Sequence, residues 1–431
     1  MARVTPARRA ALDILRAVRS GELLDPAFAR KIEQVSPRDR PWTQELVYGV
    51  FRLRGRIDQL LTPHVRRGLR SLDPDILDTL RLGAYQLLNM DSVPAYAAIS
   101  QATEMGKSVA GRGAGGLVNG VLQSLTRATH EAPPAGKEAD LAGWGSHPDW
   151  LVRRWTDHFG TAETRQLVQL DNTRPDLFIR PLGISVEEAL RNLREAGIEA
   201  EPVEHAPDSL RLPSASGIRE VLSRVTAVVQ DPAAGLVVRY GDFEPGTVAD
   251  LAAAPGGKAL EIAAEPDRRV VACDLSFGRL ARVRENIERV GARNVFSVVA
   301  DSRQPPLQQV DHVLLDAPCT GTGTFRRHPD GKWRVQPRDL EALTALQRDL
   351  LEAAATLVRP GGLLVYSTCS LEPEENEKQV RAFLAAHPEF RMEPSDTVER
   401  AMLNEEGMLV ITPQDYGFDG AFGARMRKVA S

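Results

Sequence analysis

From Gln230-Asp231-Pro232 onward, short apolar runs alternate with helical segments. Strands are expected at 247–253, 269–274, 295–300, 312–316 and 362–367, and helices at 257–264, 277–290, 339–357 and 374–386. Strands that are apolar on both faces need cover on both sides, and helical crossovers return the chain in the same direction. The pattern therefore predicts a parallel α/β sheet, with a terminal antiparallel pair near 389–393 and 422–429. Ligands of such sheets sit at the carboxyl ends of the strands. Val313 to Leu315 leads into Asp316-Ala317-Pro318-Cys319, and Leu363 to Tyr366 leads into Ser367-Thr368-Cys369-Ser370. Two of the three cysteines in the chain thus stand at strand ends, where they would face one cleft.

The first of these strands runs into Asp250-Leu251-Ala252-Ala253-Ala254-Pro255-Gly256-Gly257-Lys258. Small residues and paired glycines let a ligand come close to the backbone. The run is neither G-x-G-x-x-G nor G-x-x-x-x-G-K-[ST], which weakens a dinucleotide or P-loop nucleotide reading. Asp274 ends the second strand, where a carboxylate can hold two ribose hydroxyls. Asp301 ends the third, in reach of an adenine edge. Each aspartate alone has a plain alternative as a helix cap. As a set they suit an adenosine-containing ligand without phosphates, and S-adenosylmethionine (SAM) is the candidate.

The rest of the chain differs in class. Residues 5–128 read as all-helical, with Thr5-Pro6 as the first helix start and the glycines at 111–116 separating helices over 95–110 and 114–127. Residues 129–145 have the composition of a linker. A short helix is expected over 148–159, and a small α/β unit over 175–229. In that unit Leu177-Phe178-Ile179 is a strand, Ser185 and Glu188 cap a helix, and strands follow at 198–203, 209–212 and 226–229. Such units occur both in RNA-binding modules and in structural inserts. The net charge of −4 conceals a basic start, since residues 1–70 hold fifteen Arg or Lys against seven Asp or Glu. A polyanion partner explains that excess, and so does a solvated arginine-rich surface. Three cysteines fit a reducing compartment, the first residues carry no signal-peptide core, and no apolar run would span a bilayer, so a cytoplasmic protein without a membrane partner is expected. Cys273 reads as a small core residue. The eight histidines have no ligand-type spacing, and no metal is proposed.

At this point a resemblance enters. Asp-Leu-Ala-Ala-Ala-Pro-Gly-Gly-Lys (250–258), Asp-Ala-Pro-Cys (316–319) with Arg326-Arg327-His328-Pro329-Asp330, and Ser-Thr-Cys-Ser (367–370) with Glu372-Pro373-Glu374-Glu375-Asn376 resemble the signature blocks of the RNA cytosine-C5 methyltransferases. Arg40-Pro41-Trp42, Glu45 to Val50, Leu80 to Leu87 and Val118 to Leu122 resemble the NusB-like helical RNA-binding domain of the bacterial Sun (RsmB) type. The resemblance implies a multidomain α plus α/β chain: a NusB-like domain over 1–128, the linker at 129–145, a small α/β RNA-recognition module over 146–230, and a Rossmann-like class I SAM methyltransferase domain over 231–431. It also implies methylation of a cytosine in small-subunit ribosomal RNA, with no DNA partner and a monomeric protein. Ala252 stands where the family often has a cysteine, and Asp419-Gly420-Ala421-Phe422 replaces the family's Asp-Gly-Phe-Phe.

The roles follow from the resemblance. Cytosine C5 is a poor nucleophile until a thiolate adds at C6, after which C5 can take a methyl group. DNA cytosine-C5 enzymes use a Pro-Cys thiol, which would nominate Cys319. The RNA family uses the Thr-Cys thiol, and the full resemblance assigns attack to Cys369 and product release to Cys319. Asp316 would contact the cytosine N3/N4 edge, and Lys258 would favour a thiolate. The implied cofactor set is Ala252, Ala253, Ala254, Pro255, Gly256, Gly257, Lys258, Asp274, Arg279, Asp301 and Asp316. Arg326, Arg327, His328 and Lys332 are candidates to meet the RNA backbone, or form a merely solvated basic loop. Transfer RNA or large-subunit RNA as substrate, and an inactive RNA-binding assembly or antitermination factor, are the alternatives.

Overall fold

The computed structural model describes residues 4–128, 141–213 and 217–430, so most of the expected linker lies outside the described residues. The chain forms two compact units, Met1–Arg174 with Phe325–Arg334, and Pro175–Thr324 with Val335–Ser431. The expected boundaries lie at 145 and 230, whereas compactness divides the chain at Arg174 and takes a short stretch beyond Cys319 into the first unit.

The first unit is helical. Its helices span Pro6–Arg19, Leu24–Ile32, Arg40–Arg52, Arg54–Leu61, Pro74–Asn89, Ala95–Arg127, Asp149–Phe159 and Thr161–Asp171. Leu46, Val47, Leu80 and Leu122 are among the side chains that close its core. The helices Arg40–Arg52 and Pro74–Asn89 approach so closely that a Cβ at Gly49 would lie 2.0 Å from the Tyr85 ring. Only glycine leaves room there, and the Tyr85 hydroxyl donates to Glu45 Oε1 at 2.6 Å. The helices expected over 95–110 and 114–127 run on as Ala95–Arg127, broken at Ala110 and at Gly111, whose φ of +81° a side chain would resist.

Phe325–Arg334 is held in this unit by polar anchors. Lys332 is fully buried, and its Nζ donates to Arg52 O at 2.9 Å and to Asn172 Oδ1 at 3.0 Å. Trp333 Nε1 donates to Phe51 O at 2.7 Å, Arg326 Nη2 to Arg174 O at 2.7 Å, and His328 Nδ1 lies 3.0 Å from Asp25 Oδ2. Lys332 is therefore withdrawn from the candidates for the RNA backbone. A buried ammonium needs hydrogen-bond acceptors, and here Arg52 O and Asn172 Oδ1 supply two.

The second unit holds two sheets. The smaller is antiparallel, with strands β1 (Leu177–Pro181), β2 (Glu201–Val203), β3 (Ala206–Leu212) and β4 (Ala227–Val229) in the order β2-β3-β1-β4. Ser185 Oγ accepts from Glu188 N at 3.2 Å and starts the helix Val186–Glu195, a cap that stabilises by about 1 kcal/mol. A further helix, Ile218–Arg224, has no counterpart in the sequence expectations.

The larger sheet contains β5 (Gly246–Asp250), β6 (Arg268–Asp274), β7 (Val295–Val299), β8 (Val310–Asp316), β9 (Val358–Thr368), β10 (Phe390–Met392), β11 (Leu409–Ile411) and β12 (Ala421–Lys428). Their order is β10-β12-β9-β8-β5-β6-β7, with β11 on the free side of β12. Strands β5 to β9 are parallel, as their apolar character predicts, and β12 runs antiparallel between β9 and β10. The expected terminal pair is thus present, extended by β11. Apolar layers cover both faces. Winding reverses between β5 and its neighbours β6 and β8, which is where a doubly wound sheet opens a ligand crevice.

Candidate active site

The loop after β5 lies in that crevice. Ala253 N donates to Cys273 O at 2.9 Å, and Gly256 adopts φ +102° before the helix Gly257–Ile262. A Cβ at Gly256 would also press to 3.1 Å from Val283. Asp274, buried at the end of β6, accepts from Ser276 N at 2.9 Å and lies 3.4 Å from Ala254 N. Arg279 braces the same loop, with Nη2 donating to Ala254 O at 2.9 Å and Nη1 lying 3.4 Å from Asp274 Oδ2. Asp274, Arg279 and the Ala253-Ala254 backbone are therefore brought together. Beside them Leu275 and Phe277 are 70% and 65% exposed, an unusual state for large apolar side chains that follow a buried carboxylate.

Asp301 follows the neighbouring strand end, where Ala300 N donates to Asp274 O at 3.1 Å, but its own carboxylate is bonded to Arg303. Both its oxygens are taken by Arg303, whose side-chain and backbone hydrogen bonds hold the carboxyl at about 2. The next residue ties the strand ends together, since Ser302 Oγ donates to Leu251 O. Asp250 is buried and its Oδ1 has no hydrogen-bond partner among the described residues. Burial foremost, and then the charge of Asp316, push its carboxyl up to about 7.

The second half of the site lies on β8 and β9. Asp316 pairs in register with Ser367, so the two strands end side by side. Asp316 Oδ2 accepts from Lys258 Nζ at 2.7 Å, and its Oδ1 accepts from Ser367 Oγ at 2.8 Å. Burial acts to lower the Lys258 ammonium, but Asp316 and Asp250 outweigh it and hold the value above the ordinary one; Cys369 acts in the same sense. Beyond the strand ends, Cys319 Sγ and Cys369 Sγ are 3.3 Å apart. The Cys319 thiol is pushed well up by its hydrogen bond with Cys369, by burial, and by the charges of Cys369 and Glu375. Lys258, Asp316, Cys319 and Cys369, chosen from three separated sequence blocks, converge. Cys273 is buried in β6, where burial first pushes its thiol up to about 12.

Several residues that carry this geometry escaped the sequence reading. Glu375 is fully buried and accepts from Thr320 N and Gln347 Nε2, each at 2.9 Å, and from Thr320 Oγ1. Gly323 N donates to Cys369 O at 3.0 Å, and Gly420 N to Gly323 O at 2.8 Å, so the Gly420 turn is stitched to both cysteine loops. Glu375 lies inside a quoted motif, which was its signal. Gln347 sits in mid-helix of Pro337–Leu357 and has no local signal at all.

Residues 242–427 match the family described as 16S rRNA methyltransferase RsmB/F, residues 5–127 the NusB family, and residues 147–219 an RsmF/B-like ferredoxin-like domain. The probable ribosomal RNA small subunit methyltransferase B of Synechocystis is 35% identical, over 98% of this chain and 99% of its own. The ribosomal RNA small subunit methyltransferase B of Vibrio cholerae is 33% identical, over 97% and 96%. Among solved structures, PH0851 superposes with a TM-score of 0.82 at 28% identity, covering 99% of this chain and 100% of that one. With relatives matched from end to end and the strand-end cysteines lying within the matched catalytic region, this chain belongs to the RsmB/F family of 16S rRNA methyltransferases.

Proposed function

We propose that this chain methylates C5 of a cytosine in 16S ribosomal RNA, using SAM, through a covalent bond between Cys369 Sγ and cytosine C6. The observation that carries the reading is the pair of sulfurs 3.3 Å apart at the ends of β8 and β9, next to the Lys258–Asp316 pair. The relatives' names speak for small-subunit RNA as the substrate.

The residues present fit SAM. The unpartnered Asp250 Oδ1 offers an acceptor to an ammonium group, Asp274 offers one to ribose hydroxyls, and exposed Leu275 offers an apolar surface to an adenine face. The Ala252–Gly257 backbone and Arg279 would border the same ligand, with Asp301 at its adenine end only if Arg303 yields. When bound, SAM supplies the methyl group.

In the reaction, the Cys369 thiolate donates an electron pair to C6 and makes C5 electron-rich. Asp316, held by Lys258 and Ser367, would meet the N3/N4 edge and steady the altered ring. After methyl transfer the C5 proton leaves to solvent, its bonding pair re-forms the C5–C6 double bond, and the C6–S pair returns to Cys369 Sγ. Cys319, whose sulfur lies 3.3 Å from that of Cys369, would hydrogen-bond to the departing sulfur and so aid release. The choice of Cys369 as attacker is supported by the resemblance of its Ser-Thr-Cys-Ser block, 367–370, to that of the RNA cytosine-C5 methyltransferases.

RNA would be gripped by the helical region over 1–128 and the small module over 146–230, with the target base unstacked to reach the thiols. The protein would act as a monomer in the cytoplasm, where small subunits are made. No helix among the described residues is long and apolar enough to cross a membrane. Bisulfite mapping of 16S RNA from cells with and without this protein tests the proposal: one protected cytosine should become convertible when the protein is absent. An unchanged map would sink it.

A further inference from the structure

Glu375 is the buried carboxylate nearest in bonding to the cysteine loops, and the reaction sketched above gives it no part. Its hydrogen bonds are distributed with unusual bias. Two go to Thr320, directly after Cys319, through the backbone N–H and the hydroxyl. The third comes from Gln347 Nε2, which also donates to the carbonyl of Pro318, directly before Cys319, at 2.9 Å. Thr320 Oγ1 lies 3.1 Å from Ser370 Oγ, the neighbour of Cys369. Tyr366, near the end of β9, donates to the main-chain oxygen of Glu375 at 2.6 Å. One carboxylate therefore fixes the chain on both sides of Cys319, and the Ser370 hydroxyl, next to Cys369, faces both that carboxylate and the Thr320 hydroxyl.

We propose that Glu375 is a positioning residue for product release: it holds the turn carrying Cys319 so that this sulfur stays within reach of the Cys369 sulfur while the C6–S bond breaks. The inference rests on the reading of Cys369 as attacker and Cys319 as the releasing thiol. Cys369 follows directly on the paired end of β9, and its carbonyl accepts from Gly323 N; the Glu375 carboxylate touches neither of these supports, so the attacking step does not rest on its grip. Losing the grip should then spare the first methyl transfer and slow turnover. The charge of Glu375 is also among the influences that keep the Cys319 thiol protonated, the state in which it can donate to a leaving sulfur.

Glu375→Gln is the direct probe. An amide keeps one acceptor oxygen for Thr320 N and Gln347 Nε2, but its NH2 group reverses the bond to the Thr320 hydroxyl, which must then accept and turn its proton toward Ser370. The charge-assisted hydrogen bonds become neutral ones of about half the strength, which loosens the turn. Thr320→Val removes one donor of the three and is the milder probe; Thr320→Ser retains the hydroxyl. The measurements are single-turnover methyl transfer, steady-state turnover, and the denaturant-resistant protein–RNA adduct, using full-length protein and 16S RNA. For Glu375→Gln, single-turnover transfer should stay within about twofold, steady-state turnover should fall about tenfold, and adduct should accumulate. Thr320→Val should give a weaker form of the same split, and Thr320→Ser should match the wild type. Equal slowing of both rates in Glu375→Gln and Thr320→Val, with no adduct, overturns the inference even when Cys319→Ala traps RNA. If Cys319→Ala traps none, the underlying assignment of Cys319 fails, and the inference with it.

Discussion

The sulfur of Cys319 lies 3.3 Å from the sulfur of Cys369, and the two residues stand in the loops that follow neighbouring parallel strands, β8 and β9. The hydrogen bond to Cys369, burial and nearby negative charge all raise the Cys319 thiol above its ordinary value. Cys369→Ala should abolish methyl transfer and form no adduct with RNA, whereas Cys319→Ala should form adduct and release it slowly. Denaturing electrophoresis of protein mixed with SAM and labelled 16S RNA separates these outcomes. Adduct from Cys369→Ala, and none from Cys319→Ala, would reverse the assignment.

Lys258 and Asp316 act as one unit, since the ammonium donates to Asp316 at 2.7 Å while Ser367 holds the other oxygen. Lys258→Met leaves Asp316 without its charged partner, and Asp316→Asn leaves Lys258 likewise. Each should slow adduct formation about 100-fold, in the range found when one preorganised polar group is lost. Bonded partners are not additive. The double variant should therefore be slower than the worse single variant by less than about tenfold. Multiplicative losses in single-turnover rates would show that the two groups work separately.

Gly323 shows how little space the cysteine loops leave. A Cβ there would fall 2.8 Å from Cys369 O and 2.8 Å from Gly420 Cα, both backbone atoms that cannot swing aside. Gly323→Ala should cost about 1–3 kcal/mol of stability, the usual price of overpacking. It should also slow methyl transfer, because relief requires moving Cys369 or the Gly420 turn. Gly321→Ala is a useful contrast, as φ there is +67° and its Cβ would meet only the edge of Thr324 and Cys369 at 3.5 Å and 3.9 Å. Backbone strain alone should lower its melting temperature. Activity at saturating RNA and SAM should fall further for Gly323→Ala than for Gly321→Ala.

The parallel sheet and the meeting of the cysteines were legible because both depend on local sequence. Apolar runs such as Val313 to Leu315 give the strands, and parallel neighbours must end on the same side. The Ser185 cap was legible for the same reason. What escaped depends on contacts distant in sequence. Gln347 reads as an ordinary helix residue until the helix packs and its amide meets Pro318 O and Glu375. Ile218–Arg224 does place Ile218, Val221 and Leu222 at helical spacing, but seven residues are too few for that spacing to separate a helix from a strand or loop. Lys332 sits in a run of basic residues that reads as solvated, and only the docking of Phe325–Arg334 among the helices explains its burial.

Lys332 supplies the pH prediction. Burial, reinforced by Arg52 and Arg56 against the opposing charge of Asp171, lowers its ammonium from 10.5 to about 7. The folded-state value thus lies below the unfolded one, and between about 7 and 10.5 the unfolded chain binds more protons than the folded chain. Stability contributed by this lysine therefore rises with pH across that window, and below it the folded state bears the full cost of burying the charge. Lys332→Met removes the titration and leaves Arg52 O and Asn172 Oδ1 without their donor. The variant should be destabilised at pH 9, and the deficit should shrink toward pH 7 by at most about 1.4 kcal/mol per pH unit. All five tryptophans, Trp42, Trp144, Trp150, Trp155 and Trp333, belong to the helical unit, so their fluorescence follows the unfolding of that unit alone. Urea titrations of both proteins at pH 7, 8 and 9 give the difference directly. A deficit that stays constant or widens as the pH falls would show that Lys332 is not buried as a titrating amine.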